Sequence, residues 1–330
     1  MRTGVIGAGG LGQHHVRILR DMQGPDFAGF YESRADRAEQ IARDLGVVAH
    51  PTLESLLDNV DAVTIVVPTP AHYAVAKQVL ARGIHAMIEK PIAATLEEAD
   101  EMLALAAKHG VVLQTGHVER FNRAIRAAIP YVDHARFIES DRLAPFNPRG
   151  SDVAVVLDLM IHDIDLVHTL VGGKAASVSA VGVPVLTPFV DIANARLTFD
   201  SGAVANITAS RVSRERMRKV RIFQQSGYIS LDLGAGNGEF YRLRGDVDVA
   251  ALASAPIALE QFVERIPLEA EEGEPLRLEF ESFLAAVRGD APVAVTGEEG
   301  RDALAVALQI VSDIERSLPA LARTRTDPRA

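Results

Sequence analysis

Three stretches of the chain bring together residue types that could do chemistry. In the run Val155–Val171, Asp158, His162 and Asp165 stand at i, i+4 and i+7. On a helix these share one stripe, beside an apolar stripe of Leu157, Ile161, Ile164 and Val171. The pattern fits a general base with orienting carboxylates, a Zn or Mn site, or a solvated polar face. Lys90 lies between Glu89 and Pro91, and the proline restricts the backbone around it, so the direction of the lysine is set. An ammonium held beside a hydroxyl would stabilise a developing alkoxide and ease its oxidation; a surface lysine in a loop is the other reading. The third stretch, Gly7-Ala8-Gly9-Gly10-Leu11-Gly12, has the spacing of a turn whose backbone amides receive a pyrophosphate.

The elements around these residues decide which readings are open. A short β-prone run, Thr3–Ile6, leads into the glycines, and a helical pattern, His14–Met22, leaves them. That is the strand–turn–helix context in which Gly7 permits the turn, Gly9 lets amides approach the anion and Gly12 allows helix and strand to pack closely. Phe27–Tyr31 reads as the next strand and ends in Glu32, twenty residues after Gly12, where a carboxylate meets the ribose hydroxyls of NAD. Ser33 and Arg34 could hold a 2′-phosphate instead, but Glu32 would repel it, so NAD is expected rather than NADP.

Helical patterns at Arg34–Leu45, Thr52–Asp58, Ala71–Arg82 and from a Thr95/Glu98 capping box alternate with strand candidates at Ala62–Val67, Ile84–Ile88 and Val111–Leu113. This alternation predicts a doubly wound parallel sheet over residues 1–118. Ligands sit beyond the carboxyl ends of such strands, so Thr69, His72, Glu89, Lys90 and His117 are candidates to line one crevice.

From Glu119 the pattern changes. A short helix is expected at Arg120–Ile129, a strand at Val132–Arg142, and β runs at 176–183, 193–199, 203–210, 219–224 and 228–233, separated by turn signals. The expectation for 119–330 is therefore an α+β domain with a large, mostly antiparallel sheet. The basic tract Arg211–Arg221 reads either as a solvated hairpin or as a clamp for a diphosphate. Leu276, Phe280, Phe283, Leu284 and Val287 read as core, Thr296–Glu299 as another capping box, and Arg323–Ala330 as a loose tail.

The 330 residues carry a net charge of −10, which argues against nucleic acid or an anionic membrane as partner. With no cysteine, disulfides, thiol catalysis and cysteine-ligated metals drop out. No apolar run is long enough for a membrane span and no signal-peptide pattern stands at the start, so a cytoplasmic enzyme is expected.

Taken in order, Gly7–Gly12, Thr69-Pro70-Ala71-His72, Glu89-Lys90-Pro91 and Asp158-Leu159-Met160-Ile161-His162-Asp163 resemble the glucose–fructose oxidoreductase / inositol dehydrogenase (Gfo/Idh/MocA) family. Gly116-His117-Val118-Glu119-Arg120-Phe121-Asn122 is similar to its members that act on UDP-sugars, the UDP-N-acetylglucosamine 3-dehydrogenases, with Arg123 where they carry a proline. The resemblance implies Lys90, Asp158 and His162 as catalytic groups, and no metal. It implies NAD held by Gly7, Ala8, Gly9, Gly10, Leu11, Gly12, Glu32, Ser33, Arg34, Pro68, Thr69, Pro70, His72, Glu89 and Lys90. For the sugar nucleotide it points to Lys90, His117, Arg120, Asn122, Asp158, His162 and Arg211. It further implies oxidation at C3 of a UDP-aminosugar for lipid A or surface-polysaccharide precursors, and a homodimer or homotetramer through the C-terminal sheet. A free polyol or monosaccharide dehydrogenase, and a non-enzymatic NAD sensor, are the alternative expectations.

Overall fold

The computed structural model describes residues 1–148, 150–245 and 262–318. The chain divides into two compact units. The first comprises Met1–Val118 and Gly273–Ala305. Its five-stranded sheet is built from β1 (Arg2–Ile6), β2 (Asp26–Tyr31), β3 (Ala62–Ile65), β4 (His85–Glu89) and β5 (Leu113–Gly116). The order is β2-β1-β3-β4-β5, with every pair parallel. All four residues of β3 are buried, as a β-branched run covered on both faces should be.

Helices α1 (Gly12–Asp21), α2 (Ala35–Leu45), α3 (Leu53–Leu57), α4 (His72–Ala81) and α5 (Leu96–His109) make the crossovers. At the start of α5 the capping box forms as expected: Glu98 N donates to Thr95 Oγ1 at 3.2 Å, and Thr95 N donates back to Glu98 Oε2. Because β1 lies between β2 and β3, the chain leaves it first to one side and then to the other. At such a switch point a crevice opens beyond the strand ends, next to the N-terminus of α1.

A single boundary at residue 118 would leave 273–305 with the second domain; the contacts place it with the first. The reason is α8 (Pro275–Arg288), whose Phe280, Phe283 and Leu284 join one buried cluster with Val5, Val16, Leu19, Phe30 and Met87. Helix α9 (Gly297–Ser317) begins in this unit, from a box in which Glu299 N donates to Thr296 Oγ1.

The second unit comprises Glu119–Glu272 with the chain from Val306. Its eight-stranded sheet has the order β13-β12-β11-β10-β6-β9-β8-β7. The strands are β6 (Phe137–Leu143), β7 (Ala175–Val183), β8 (Ile192–Phe199), β9 (Val204–Ser210), β10 (Met217–Gln224), β11 (Gly227–Asp232), β12 (Asn237–Leu243) and β13 (Val263–Leu268). Only β6 and β9 run parallel; the other pairs are antiparallel.

Three expectations need correction in this unit. The helix at 120–129 is a 3-10 turn, Val118–Phe121, followed by α6 (Arg123–Ala128), because the Asn122 side chain accepts from Ala124 N and restarts the helix. The strand at 132–142 begins only at Phe137, after a 3-10 turn at Ile129–Tyr131. The helix at 155–171 is a π-helical turn, Val156–Met160, leading into α7 (Ile161–Val171). The expected tail, 323–330, lies outside the described residues.

Candidate active site

At the end of β1 the glycines have room for backbone and little else. Gly7 sits at φ 92°, and a Cβ there would lie 2.7 Å from Val66 O. At Gly12 a Cβ would come within 2.0 Å of Gly7 O, so only glycine lets α1 approach the turn. Gly9 differs: nothing of the protein lies within 4 Å of its Cβ position, which leaves its amide side open to a ligand. Gly10 is exposed, Leu11 half-buried and Ala8 buried.

Glu32, at the end of β2, accepts from Ala8 N at 2.9 Å and Arg34 N at 3.2 Å, and the Ser33 hydroxyl and Arg34 Nε turn toward the same carboxylate. Burial pushes the Glu32 carboxyl up, but these donors outweigh it and hold it below the usual range. A charged carboxylate beside the glycine turn suits ribose hydroxyls and repels a phosphate. Sequence reasoning missed Arg37, whose guanidinium donates to Ala8 O and Gln13 Oε1 and braces the turn from α2. The residues present therefore fit a dinucleotide: amides and a helix N-terminus for the pyrophosphate, Glu32 for the ribose.

The ends of β3 and β4 are tied together from behind. His72 is 1% exposed, and its two ring nitrogens lie 2.9 Å from Val67 O and 2.9 Å from Pro91 O. Burial lowers its basicity, more than the carbonyls and Glu89 raise it, so the ring is held toward the neutral form. His72 was expected on the cofactor; its ring instead joins the segment after β3 to the segment after Lys90, with both nitrogens turned to protein carbonyls. Pro68 and Pro70 are exposed and Thr69 half-buried, on the 3-10 turn that precedes it.

Glu89 accepts from the Lys90 amide and lies 3.2 Å from Nε2 of His15, a wholly buried ring on α1 whose Nδ1 faces Thr64 Oγ1. Burial raises the Glu89 carboxyl, but His15, Lys90 and His72 outweigh it and keep it below the ordinary range. A side chain on Gly116 would meet Glu89 at 3.3 Å. Lys90 is half-buried, its peptide to Pro91 is cis, and His117 is wholly buried. His15 was the second residue that sequence reasoning passed over; a histidine on the apolar side of α1 was the available sign.

In the second unit the stripe Asp158, His162, Asp165 does not survive as drawn, because the π turn changes the rotation between Asp158 and α7. Asp165 faces Arg120 in a bidentate pair, Nε–Oδ2 2.8 Å and Nη2–Oδ1 2.6 Å. That placement takes Asp165 from a shared metal site and gives Arg120 a carboxylate in place of substrate. Asp163 binds Arg142 Nε at 2.6 Å and Ser140 Oγ at 2.8 Å, while Arg142 Nη1 reaches Glu119 at 2.8 Å. Burial works against the Arg142 cation, yet the two carboxylates more than compensate and hold it protonated.

Asn122 is also committed, donating to Glu119 Oε2 and Leu233 O. Two residues of the basic tract pair internally, Arg218 with Glu119 and Arg221 with Glu139, and only Arg214 and Arg216 among its arginines are classed as exposed. Arg211, expected on the diphosphate, is 3% exposed and paired with Asp191 at 2.8 Å. Asp158 and His162 are half-buried, whereas Asp163 and Asp165 are buried.

Comparison with known proteins then decides the family. Residues 1–117 match the model of an oxidoreductase family with an NAD-binding Rossmann fold, and residues 132–230 match the GFO/IDH/MocA C-terminal domain. The chain is 40% identical to UDP-N-acetylglucosamine 3-dehydrogenase of Acidithiobacillus ferrooxidans over 96% of this chain and 98% of that protein. This chain belongs to the Gfo/Idh/MocA family.

The solved structure of that Acidithiobacillus ferrooxidans enzyme superposes with a TM-score of 0.88 at 38% identity, covering 96% of this chain and 98% of that one. Scyllo-inositol 2-dehydrogenase (NAD(+)) of Bacillus subtilis is 30% identical over 64% of this chain and 68% of its own length. Membership makes the protein a nicotinamide-dependent oxidoreductase acting on CH–OH groups. Among the described residues no helix is long and apolar enough to cross a membrane.

Proposed function

We propose that the protein uses NAD to oxidise C3 of UDP-N-acetylglucosamine or a related UDP-aminosugar to the 3-keto sugar. The observation that carries this is identity of 40%, running almost end to end, with an enzyme named for that reaction. The first unit binds the cofactor, and the second supplies the substrate-binding and oligomerisation domain. Gly7 to Gly12 and Glu32 hold the dinucleotide, with Ser33 and Arg34 turned onto Glu32; this favours NAD over NADP. Bound NAD supplies the hydride acceptor.

His162 takes the proton of the sugar hydroxyl as general base, and Asp158 orients the imidazole and offsets the charge it gains. Lys90 donates a hydrogen bond to the same oxygen and stabilises the alkoxide as the C–H bond breaks and the carbonyl forms. His15 and Glu89 hold the Lys90 backbone from below. Of the basic tract, Arg214 and Arg216 bind the diphosphate, a role their exposure supports. The protein works in the cytoplasm as a homodimer or homotetramer formed through its C-terminal sheet. Its product serves an aminotransferase toward lipid A or surface polysaccharide.

Turnover is read as NADH formation with UDP-N-acetylglucosamine, N-acetylglucosamine and myo-inositol in parallel. Lys90→Met should abolish turnover with NADH affinity kept, and full turnover in His162→Ala would remove the base assignment. A second reading, oxidation of a free polyol, draws on the burial of Arg211 and the internal pairing of Arg218 and Arg221, which leave fewer cations for a diphosphate. Preference for myo-inositol over the UDP-sugar would establish that reading instead.

A further inference from the structure

Arg211 is built into the protein too completely to touch a substrate, and its partners say what it does. Nε donates to Asp191 Oδ1 at 2.8 Å, Nη1 to Gly150 O at 2.5 Å, and Nη2 to Val153 O at 2.6 Å and Val190 O at 3.2 Å. Asp191 has no exposed surface, and its Oδ2 accepts the amides of Val185, Leu186 and Thr187 at 2.8, 2.6 and 2.9 Å. Five donors in a rigid plane suit such a hub, because a guanidinium can serve a carboxylate and several carbonyls in fixed directions at once.

Two of those carbonyls bound one turn, Gly150–Val153, and the first residue of that turn lies on Asp158. Gly150 has φ 77°, and a Cβ there would stand 2.6 Å from Asp158 Oδ2, 2.9 Å from Cγ and 3.1 Å from Oδ1. The carboxylate therefore occupies the space a Gly150 side chain would need, at a place where the left-handed conformation also disfavours one. We propose that Arg211 is a positioning residue: by clamping Gly150 and Val153 it fixes the surface against which Asp158 is set. The role rests on the reading above, in which Asp158 orients His162. It replaces the expected contact between Arg211 and the diphosphate.

The test uses the full-length enzyme in three variants, Arg211→Lys, Gly150→Ala and Asp158→Asn, with UDP-N-acetylglucosamine kinetics and calorimetric titration of UDP. Lysine keeps the charge on Asp191 but cannot fork to both carbonyls; alanine leaves the Arg211–Asp191 pair alone and presses on Asp158 directly. Both should lower kcat by on the order of 10–100-fold, because a catalytic group displaced by about an ångström loses that much. KM and the affinity for UDP should stay within about 3-fold, the split expected when positioning rather than binding is lost.

If Arg211→Lys raises KM and weakens UDP binding with kcat intact, Arg211 is a substrate ligand and the proposal is overturned. If Asp158→Asn loses turnover but Gly150→Ala keeps wild-type kcat, the clamp is irrelevant to Asp158 and the proposal falls alone. If Asp158→Asn itself keeps wild-type kcat, the underlying role of Asp158 falls first, and this inference with it. Should Arg211→Lys fail to fold, wild-type kcat in Gly150→Ala would still overturn the proposal, and Arg211→Gln, which keeps planar N–H donors, takes the place of the lysine variant.

Discussion

Arg142→Met tests whether buried charge pins the helix that carries His162. The wild-type guanidinium is 4% exposed, and its partners Asp163 and Glu119 are 2% and 9% exposed. Methionine roughly fills the volume but takes the guanidinium from both carboxylates, with Glu119 keeping its longer 3.5 Å pair to Arg218. Removing one partner of a buried pair costs about 3–5 kcal/mol, mostly as the penalty of the charge left behind. For a unit of this size each kcal/mol moves Tm by about 2–4 °C, so Tm should fall by roughly 6–20 °C. Urea and thermal unfolding of the full-length protein measure it. Converting Asp163 and Glu119 to leucine in the same variant should recover much of the loss, since a hydrophobic replacement of a buried ionic set is often neutral. A single-variant cost below about 1 kcal/mol, the value of an exposed pair, would refute the view that these charges are structurally committed.

Other perturbations separate the remaining contributions. Asp191 is held at about 2, because burial, which would raise it, is outweighed by the Thr187 and Leu186 amides and Arg211. Its folded value is depressed, so its stabilisation is whole above the ordinary carboxylate range and disappears as pH falls from about 4 to about 2. The stability gap between wild type and Asp191→Asn should therefore narrow over that window in urea titrations, and a constant gap would contradict it. Gly9→Ala meets no protein atom within 4 Å, whereas Gly12→Ala puts a Cβ 2.0 Å from Gly7 O. The first should keep Tm but lose NADH binding by fluorescence titration, and the second should lose both; unchanged NADH affinity in Gly9→Ala would remove that amide from the anion site. Thr95→Ala should cost about 1 kcal/mol of stability through the lost cap and leave turnover unchanged.

What the sequence made legible was local. The glycine turn, Glu32 at the end of β2 and the two capping boxes depend on residues within a few positions, or on the fixed spacing of a βα unit. The π turn left no such mark: Val155–Val171 has a helical period throughout, and one residue accommodated by a wider turn alters the rotation of Asp158 without altering the pattern. Equally hidden were partners far apart in the chain. Arg120 read as a substrate ligand until Asp165, 45 positions on, appeared against it, and Arg211 until Asp191 and two carbonyls did. Helix α8 showed its apolar stripe plainly, but a stripe does not say which sheet it covers. Strands β12 and β13 were missed because Gly238, Glu239, Arg242 and Arg265 interrupt the apolar alternation on which a strand is read.

The misread residues share a physical cause, and it bears on how the site is built. Within Asp158–Asp165 three aspartates flank one histidine, and a sequence cannot say which of them serve it. The structure sorts them by counter-charge. Asp163 and Asp165 are both buried and each bound by an arginine from another element, Arg142 from β6 and Arg120 from the turn before α6. Asp158 is half-buried and meets glycine backbone. Buried pairs of this kind contribute little net stability but are expensive to break one-sidedly. Shifting α7 by one residue would break both pairs at once. Their value is then in register rather than in stability: the two sealed aspartates fix the rotation of α7, and with it the place of His162 on that helix.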